Sequence, residues 1–265
     1  MSTLLNDRMK ELAGIAPPSH LTVNHGKDQF RQIGERWAET FQLLAKLNPT
    51  DCVLDVGCGP GRMALALVPY IGLSGRYEGF DINPNDIAWC KKEIETRWSR
   101  SHFTLADLYN AHYNPTGALC ADQFRFPYDD QSFDFVFLTS VFTHLLPDDL
   151  RNYFHEISRV LRPGGRCLIT YFLLNDAVYK SIEQGHARFT FDHELFPHCR
   201  VQYLDRPEDV VAYEEAFVRE QYRLADLRIL EPIHYGAWSR QPLQSAPRHG
   251  QDIIIGIKVP ADHEK

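Results

Sequence analysis

The run Val53-Leu54-Asp55-Val56-Gly57-Cys58-Gly59-Pro60-Gly61-Arg62 constrains this chain more than any other stretch. It reads as a buried parallel strand that ends beside a carboxylate and turns through three alternate glycines. An amphipathic segment from Met63 to Tyr70 then starts a helix. Glycines let a ligand approach the backbone more closely than a Cβ would permit. The first N–H groups of the following helix lack intrahelical partners and point to the same spot. Together these parts describe a small-molecule cradle at the carboxyl end of a strand, where open α/β sheets bind their ligands.

The spacing narrows the ligand. A dinucleotide fold wants G-x-G-x-x-G, because its third glycine lets the helix pack against the strand under a pyrophosphate. Here the spacing is G-x-G-x-G, and Arg62 stands where that third glycine would fall. Pro60 also stiffens the turn. A Walker A loop is excluded, since no Gly-Lys-Ser/Thr follows.

The rest of the chain supplies the context. Apolar residues from Gln29 to Leu47 recur at helical spacing, and Asn48-Pro49-Thr50-Asp51 stops that helix. Strands are expected at Arg76–Phe80, closed by Asp81, and at His102–Leu105, closed near Asp107. Asn83-Pro84 opens a helix between them. A long loop then runs to Tyr128. Ser132–Thr139 is almost unbroken apolar sequence, as a doubly covered parallel strand requires. A helix from Asp148 to Leu161 ends at Arg162-Pro163-Gly164-Gly165, read as a stop and a tight turn, and Arg166–Leu173 follows as a strand. Strands near Arg228–His234 and Asp252–Val259 read as a closing antiparallel hairpin. Residues 175–220 read as an insertion without strong periodicity until Val210–Phe217.

The string D-V-G-C-G-P-G-R, the strand tip Asp81, Ser132-Phe133-Asp134 and Leu161-Arg162-Pro163-Gly164-Gly165 occur in that order. The series closely resembles class I S-adenosylmethionine-dependent methyltransferases across roughly residues 50–175 and the final hairpin. The resemblance implies an α/β fold: a doubly wound, mostly parallel seven-stranded sheet with a C-terminal antiparallel hairpin. It implies a single methyltransferase domain over 1–265, with a lid-like helical arm at 1–47 and a substrate-side insertion at 175–220. The expected cofactor is S-adenosyl-L-methionine.

That resemblance assigns roles. Asp81 would accept from the two ribose hydroxyls, a helix N-cap being its structural alternative, and Ile82 would lie against the adenine or ribose face. Asp55 would support the glycine loop and help hold the methionine amino group, or simply accept loop N–H bonds. Gly57, Cys58, Gly59 and Gly61 would bring backbone against the cofactor. Arg62 would reach the cofactor carboxylate or point to solvent. The adenine contact is Asp107 with Leu108, favoured because a strand tip fixes a carboxylate well; Asp122, with the family's spacing to Phe126-Pro127, is the alternative. Thr139 and Ser140 would lie beside the sulfonium. His144 is the candidate general base, since imidazole titrates near neutral pH; packing or capping the next helix is its alternative. Methyl transfer from a sulfonium needs little beyond in-line positioning, so a base is not obligatory.

Composition bounds the partners. With 44% hydrophobic residues and a net charge of −7 in 265 residues, an ordinary globular protein without a broad nucleic-acid surface is expected. The six cysteines are scattered without a C-x-x-C pair, which fits reduced thiols and a cytoplasmic location. No signal peptide and no run near the roughly 18 apolar residues of a membrane span is expected. His193, Glu194, His198 and Cys199 could be drawn as a metal site, but their spacing is not a helical pair and Pro197 interrupts it, so no metal is expected. Tyr109, Tyr113, Phe172, Tyr179, Phe189 and Phe191 are either pocket aromatics or core. The leading reading is methyl transfer to a small organic acceptor, with oxygen favoured. No N/D-P-P-Y/F segment follows the fourth strand, and no paired glutamates occur there. These absences argue against DNA base nitrogens and protein arginine as acceptors. A nucleotide-dependent oxidoreductase and a non-catalytic S-adenosylmethionine binder are the alternatives. The oligomeric state is not legible.

Overall fold

The computed structural model describes residues 14–22, 26–71, 74–111, 113–240 and 249–260. Parts of the expected arm, residues 1–13 and 23–25, therefore lie outside the described residues. In chain order the elements begin with α1 (Lys27–Leu44), β1 (Cys52–Val56), α2 (Arg62–Ile71), β2 (Arg76–Asp81), α3 (Pro84–Cys90) and β3 (Ser101–Leu105). They continue with β4 (Phe133–Leu138), α4 (Pro147–Val160), β5 (Leu161–Tyr171), β6 (Leu173–Leu174) and α5 (Asp176–Glu183). The last are β7 (His193–Phe196), β8 (Cys199–Val201), β9 (Val211–Glu214), α6 (Glu215–Leu224), β10 (Leu227–Ile229) and β11 (Asp252–Lys258).

Seven strands make one sheet in the order β10-β11-β5-β4-β1-β2-β3. β1, β2 and β3 pair in parallel, whereas β11 runs antiparallel to both neighbours, β5 and β10. The seven-stranded α/β sheet with a closing antiparallel pair is thus present as the sequence implied. By contact density the chain divides into two compact units, Met1–Asp107 with Phe133–Phe135, and Leu108–Ser132 with Val136–Lys265.

In the first unit, β1 is buried from Val53 to Val56 because its apolar run is covered on both faces. Asp134 fixes its start by accepting the Cys52 N–H at 2.8 Å. α1 turns an apolar stripe inward: Phe41 stacks on Trp37 and meets Phe135 edge-on at 5.4 Å. Asn83 caps α3, its side-chain oxygen accepting from Asn85 N at 3.0 Å and Asp86 N at 3.4 Å, with Pro84 at the first helical position.

The second unit departs from the sequence reading in two places. β5 begins at Leu161, directly after α4, and runs through Pro163-Gly164-Gly165, although its pairing with β11 starts at Arg166. Gly164 holds a left-handed φ of 78° within it. The expected insertion is also not irregular: β6, β9, β8 and β7 form a second, four-stranded sheet. Its strands hold two to four residues, too few for a period-two signal to register. Phe172, Phe191, Ala212 and Trp238 build its own apolar core, with Tyr179 and Phe189 packed against it. Two of the six candidate pocket aromatics, Phe172 and Phe191, are therefore core residues, and two more, Tyr179 and Phe189, are half-buried against that core. The fully buried Asp252 of β11 ties this core down, accepting from Leu173 N at 2.8 Å, Gly236 N at 2.7 Å and Trp238 Nε1 at 2.8 Å. Among the described residues no helix is long and apolar enough to cross a membrane.

Candidate active site

The glycine turn leaves β1 and is held over the end of β2. Gly57 N and Cys58 N both donate to the Phe80 carbonyl, at 2.9 and 3.1 Å. Gly57, Gly59 and Gly61 all adopt positive φ, at 77°, 50° and 75°, which side-chain-bearing residues rarely do. Their surroundings differ. A Cβ on Gly59 would meet nothing within 4 Å, so the backbone there fronts open space. One on Gly61 would fall 2.6 Å from Ile94 Cδ1 and 3.1 Å from Cys90 Sγ. The first glycine keeps an approach clear, and the second lets the turn settle onto its neighbours.

Asp81, at the tip of β2, binds the turn from below. Its Oδ2 accepts Gly59 N at 2.7 Å and its Oδ1 accepts Asn83 N at 2.9 Å. The N-cap alternative falls, because Asn83 and not Asp81 caps α3. Burial pushes the Asp81 carboxyl above its ordinary value, while the N–H groups of Asn83, Gly59 and Ile82 pull it back. Ile82 is half-buried beside it. At the end of β3, Ala106 N donates to the Asp81 carbonyl at 2.9 Å, so the exposed Asp107 follows one residue after this junction.

Asp55 is sealed, with 1% of its surface exposed. The alternative of accepting loop N–H bonds is not met among the described residues: its Oδ2 accepts the Tyr77 hydroxyl at 2.5 Å, and its Oδ1 has no partner there. Burial outweighs that hydrogen bond and, helped by the Asp81 charge, raises the Asp55 carboxyl to about 8. Asp86 in the first turn of α3 is raised to about 7, by burial and then by Asp81. Cys58 and Cys90 are buried beside these carboxylates, and burial pushes both thiols up. Arg62 is half-buried and does not simply point to solvent. Its guanidinium lies 5.1 Å over the Phe30 ring of α1, a cation–π contact. Tyr77, Asp86 and Cys90 were not anticipated. Tyr77 reaches Asp55 diagonally across paired strands, a relationship that exists only once the β1–β2 register is known.

The remaining sequence candidates lie in the second unit. Leu108 is buried and bridges to Leu119. Thr139 follows β4, and Ser140 takes a left-handed φ of 59° with its N–H on Thr170 Oγ1 at 2.8 Å and its hydroxyl on Gln251 Oε1 at 3.0 Å. His144 Nδ1 lies 2.9 Å from the Glu208 carbonyl oxygen. A carbonyl only accepts, so Nδ1 carries hydrogen and Nε2 is the basic nitrogen of the neutral ring. The Glu208 carboxylate accepts from Asn110 Nδ2 at 2.7 Å, and Tyr113 meets the His144 ring edge-on at 6.0 Å. Asp122 lies elsewhere in this unit, lining a cavity of about 360 Å³ with Asp149, Phe196 and His198 at the start of α4. His193 and Glu194 lie on β7, His198 stacks on Phe217 at 5.7 Å, and Cys199 is buried on β8. Among the described residues no group of three or more His, Cys, Asp or Glu gathers as a metal centre. Glu208 and Asn110 were missed because they sit in irregular chain 98 residues apart.

Residues 54–169 match the methyltransferase domain family. A methyltransferase, GfsG, of Streptomyces halstedii is 30% identical over 60% of this chain and 52% of its own length. A demethylmenaquinone methyltransferase of Lactobacillus johnsonii is 30% identical over 49% of this chain and 47% of its own. The chain spans about half the length of the curated relatives it matches. In fold it is similar to a crystal structure of a Pyrococcus horikoshii OT3 protein, with a TM-score of 0.60, 16% identity, and 92% and 97% of the two chains covered. Sheet order, glycine cradle and the matched segment all agree with the resemblance to class I S-adenosylmethionine-dependent methyltransferases.

The cradle suits that cofactor. Asp55, Asp81 and Asp86 gather under the turn without a Lys or Arg partner among the described residues, and all three carboxyls are raised. A ligand bearing positive charge offsets such a cluster. S-adenosylmethionine carries a sulfonium and an ammonium, and Gly59 leaves its side of the turn open.

Proposed function

We propose that the protein transfers the S-adenosylmethionine methyl group to a hydroxyl oxygen of a small organic acceptor. The observation that carries the choice of oxygen is the His144 ring, whose Nδ1 is engaged by the Glu208 carbonyl at 2.9 Å. That bond leaves Nε2 as the nitrogen able to take a hydroxyl proton as the oxygen attacks. Bound cofactor supplies an activated methyl on a positively charged sulfur. Asp81, Ile82, Asp107 and Leu108 would hold the ribose and adenine, and the Gly57–Gly61 backbone the methionyl portion. Thr139 and Ser140 would border the methyl, and Asp55 with Asp86 would supply negative charge beneath the turn. Small-molecule acceptors are supported by the demethylmenaquinone relative and by a net charge of −7, which disfavours broad polyanion binding.

The test is calorimetry with S-adenosylmethionine, S-adenosylhomocysteine and NAD. Labelled methyl transfer to panels of phenols, hydroxylated quinones, amines and transfer RNA then follows. Binding of both sulfur compounds, with label on phenolic or quinone oxygens, is expected. His144→Ala should lower turnover by roughly 10²- to 10⁴-fold while sparing cofactor affinity. Label on nitrogen or RNA alone would overturn the acceptor assignment, and binding without turnover would leave a non-catalytic binder.

A further inference from the structure

Glu208 acts at two ends at once. Its backbone carbonyl meets His144 Nδ1, while its carboxylate meets Asn110 Nδ2 at 2.7 Å and, more weakly, Ala111 N at 3.4 Å. The loop it grips is closed on itself. Tyr109 N donates to the Leu119 carbonyl at 2.8 Å, Asn110 and Asn114 exchange backbone bonds at 3.1 Å, and Asn114 Nδ2 donates to the Leu108 carbonyl at 2.9 Å. Asn110 also accepts Tyr113 N at 2.8 Å, and so presents the Tyr113 ring edge-on to His144. The other side of the clip is just as fixed. Val211 N donates to the Thr143 carbonyl at 2.9 Å, and the Tyr213 hydroxyl to the Leu145 carbonyl at 2.6 Å, one residue before and one after the histidine. The turn Pro207–Asp209 that carries Glu208 is braced by the Arg206–Asp209 ion pair at 2.9 Å.

We propose that Glu208 is the positioning residue of the acceptor site: it sets the His144 tautomer through its carbonyl and clips the Tyr113 loop through its carboxylate. Ordering of the loop and readiness of the base are then one event. The proposal rests on His144 acting as base in methyl transfer. A half-buried carboxylate with one amide and one backbone donor is matched in hydrogen bonding by a glutamine oxygen but not by a methyl group. The conservative variant therefore separates clipping from charge.

The experiment is ¹⁵N spectroscopy of histidine-labelled full-length protein, with the His144 signals assigned by their loss in His144→Gln. Hydrogen exchange at residues 108–119 is followed on the same samples. The wild type should show Nδ1 protonated and Nε2 unprotonated in the neutral ring. Glu208→Ala should mix the tautomers and speed exchange in the loop, and Glu208→Gln should restore both. With a turned-over acceptor, Glu208→Ala should lower kcat about tenfold, less than deletion of a base. Should Glu208→Ala fail to fold, Asn110→Ala opens the same clip from its other end and must give the same two readouts. Unchanged tautomer and loop exchange in Glu208→Ala, or equal damage in the Gln variant, would overturn the proposal. S-adenosylmethionine binding is measured separately, so failure of the methyltransferase reading is distinguishable from failure of the clip.

Discussion

Tyr77 donates its hydroxyl hydrogen to Asp55 at 2.5 Å in a setting where the carboxyl retains its proton up to about pH 8. Unfolding would return that group to its ordinary value of 3.8. Between these values the folded chain binds more protons than the unfolded one, so stability falls as pH rises from about 4 to about 8. Asp86, raised to about 7, adds to the same slope over a narrower range. Asp55→Asn keeps the shape and removes the titration. Melting temperatures of the ligand-free protein between pH 4.5 and 8.5 should decline less steeply in the variant. Superimposable curves would show that Asp55 does not titrate in this window.

The same carboxyls predict proton release when a cationic ligand arrives. A positive charge near Asp55 and Asp86 favours their ionised forms and lowers both pKa values. S-adenosylmethionine binding near pH 7.5 should therefore release protons, up to about one per site. Its calorimetric enthalpy should shift between phosphate and Tris in proportion to the buffers' ionisation enthalpies. S-adenosylhomocysteine, without the sulfonium, should release fewer. An enthalpy independent of buffer contradicts the linkage.

Asp81 braces the turn and, in the proposed role, also holds the cofactor ribose. Asp81→Ala deletes acceptors for Gly59 N and Asn83 N, and hydrogen bonds to charged groups contribute about 1.5–3 kcal/mol each. The dissociation constant of S-adenosylmethionine should rise roughly tenfold to a hundredfold, with a melting temperature lower by roughly 6–20 °C. A changed melting temperature with unchanged affinity would make Asp81 a purely structural brace.

Asp107 and Asp122 make different predictions from similar chemistry. Asp107 follows the residue whose N–H meets the Asp81 carbonyl, whereas Asp122 lines the cavity beside Asp149 and Phe196. Asp107→Asn should weaken cofactor affinity several-fold, and Asp122→Asn should leave it within error. The reverse order would move the adenine contact to the loop.

Two glycines of one turn should fail differently. Gly61→Ala pushes a methyl into Ile94 and Cys90, an overpacking of about 1–3 kcal/mol that denaturant melts would register. Gly59→Ala meets no protein atom and costs only its left-handed backbone, ~1–2 kcal/mol, yet it fills the open side of the cradle. Cofactor affinity should fall more than stability at Gly59, and stability more than affinity at Gly61.

The sheet was readable because its strands are long enough to carry a signal. Val53 to Val56 and Phe133 to Leu138 are continuous apolar runs, and Asn83-Pro84 marks a helix start by local chemistry alone. The four-stranded sheet was not, since Leu173–Leu174 owes its strand character to Tyr213–Glu214 far along the chain and Cys199–Val201 is too short to carry an alternation. The same reason hid the functional contacts. Asp55 and Asp81 announce themselves beside a glycine turn. The groups that engage the candidate residues, Tyr77, Phe30 and Glu208, are defined by register and packing rather than by motif.

Asp252 stands on the antiparallel strand of the large sheet, yet its three side-chain hydrogen bonds go to β6 of the small sheet and to the Gly236–Trp238 loop. Two of the donors are backbone groups that any sequence supplies, and the third is the Trp238 indole. The small sheet is thus moored at a point outside the β7–β8 hairpin. A graft that keeps Asp252 and Trp238 should therefore exchange that hairpin while the mooring stays put.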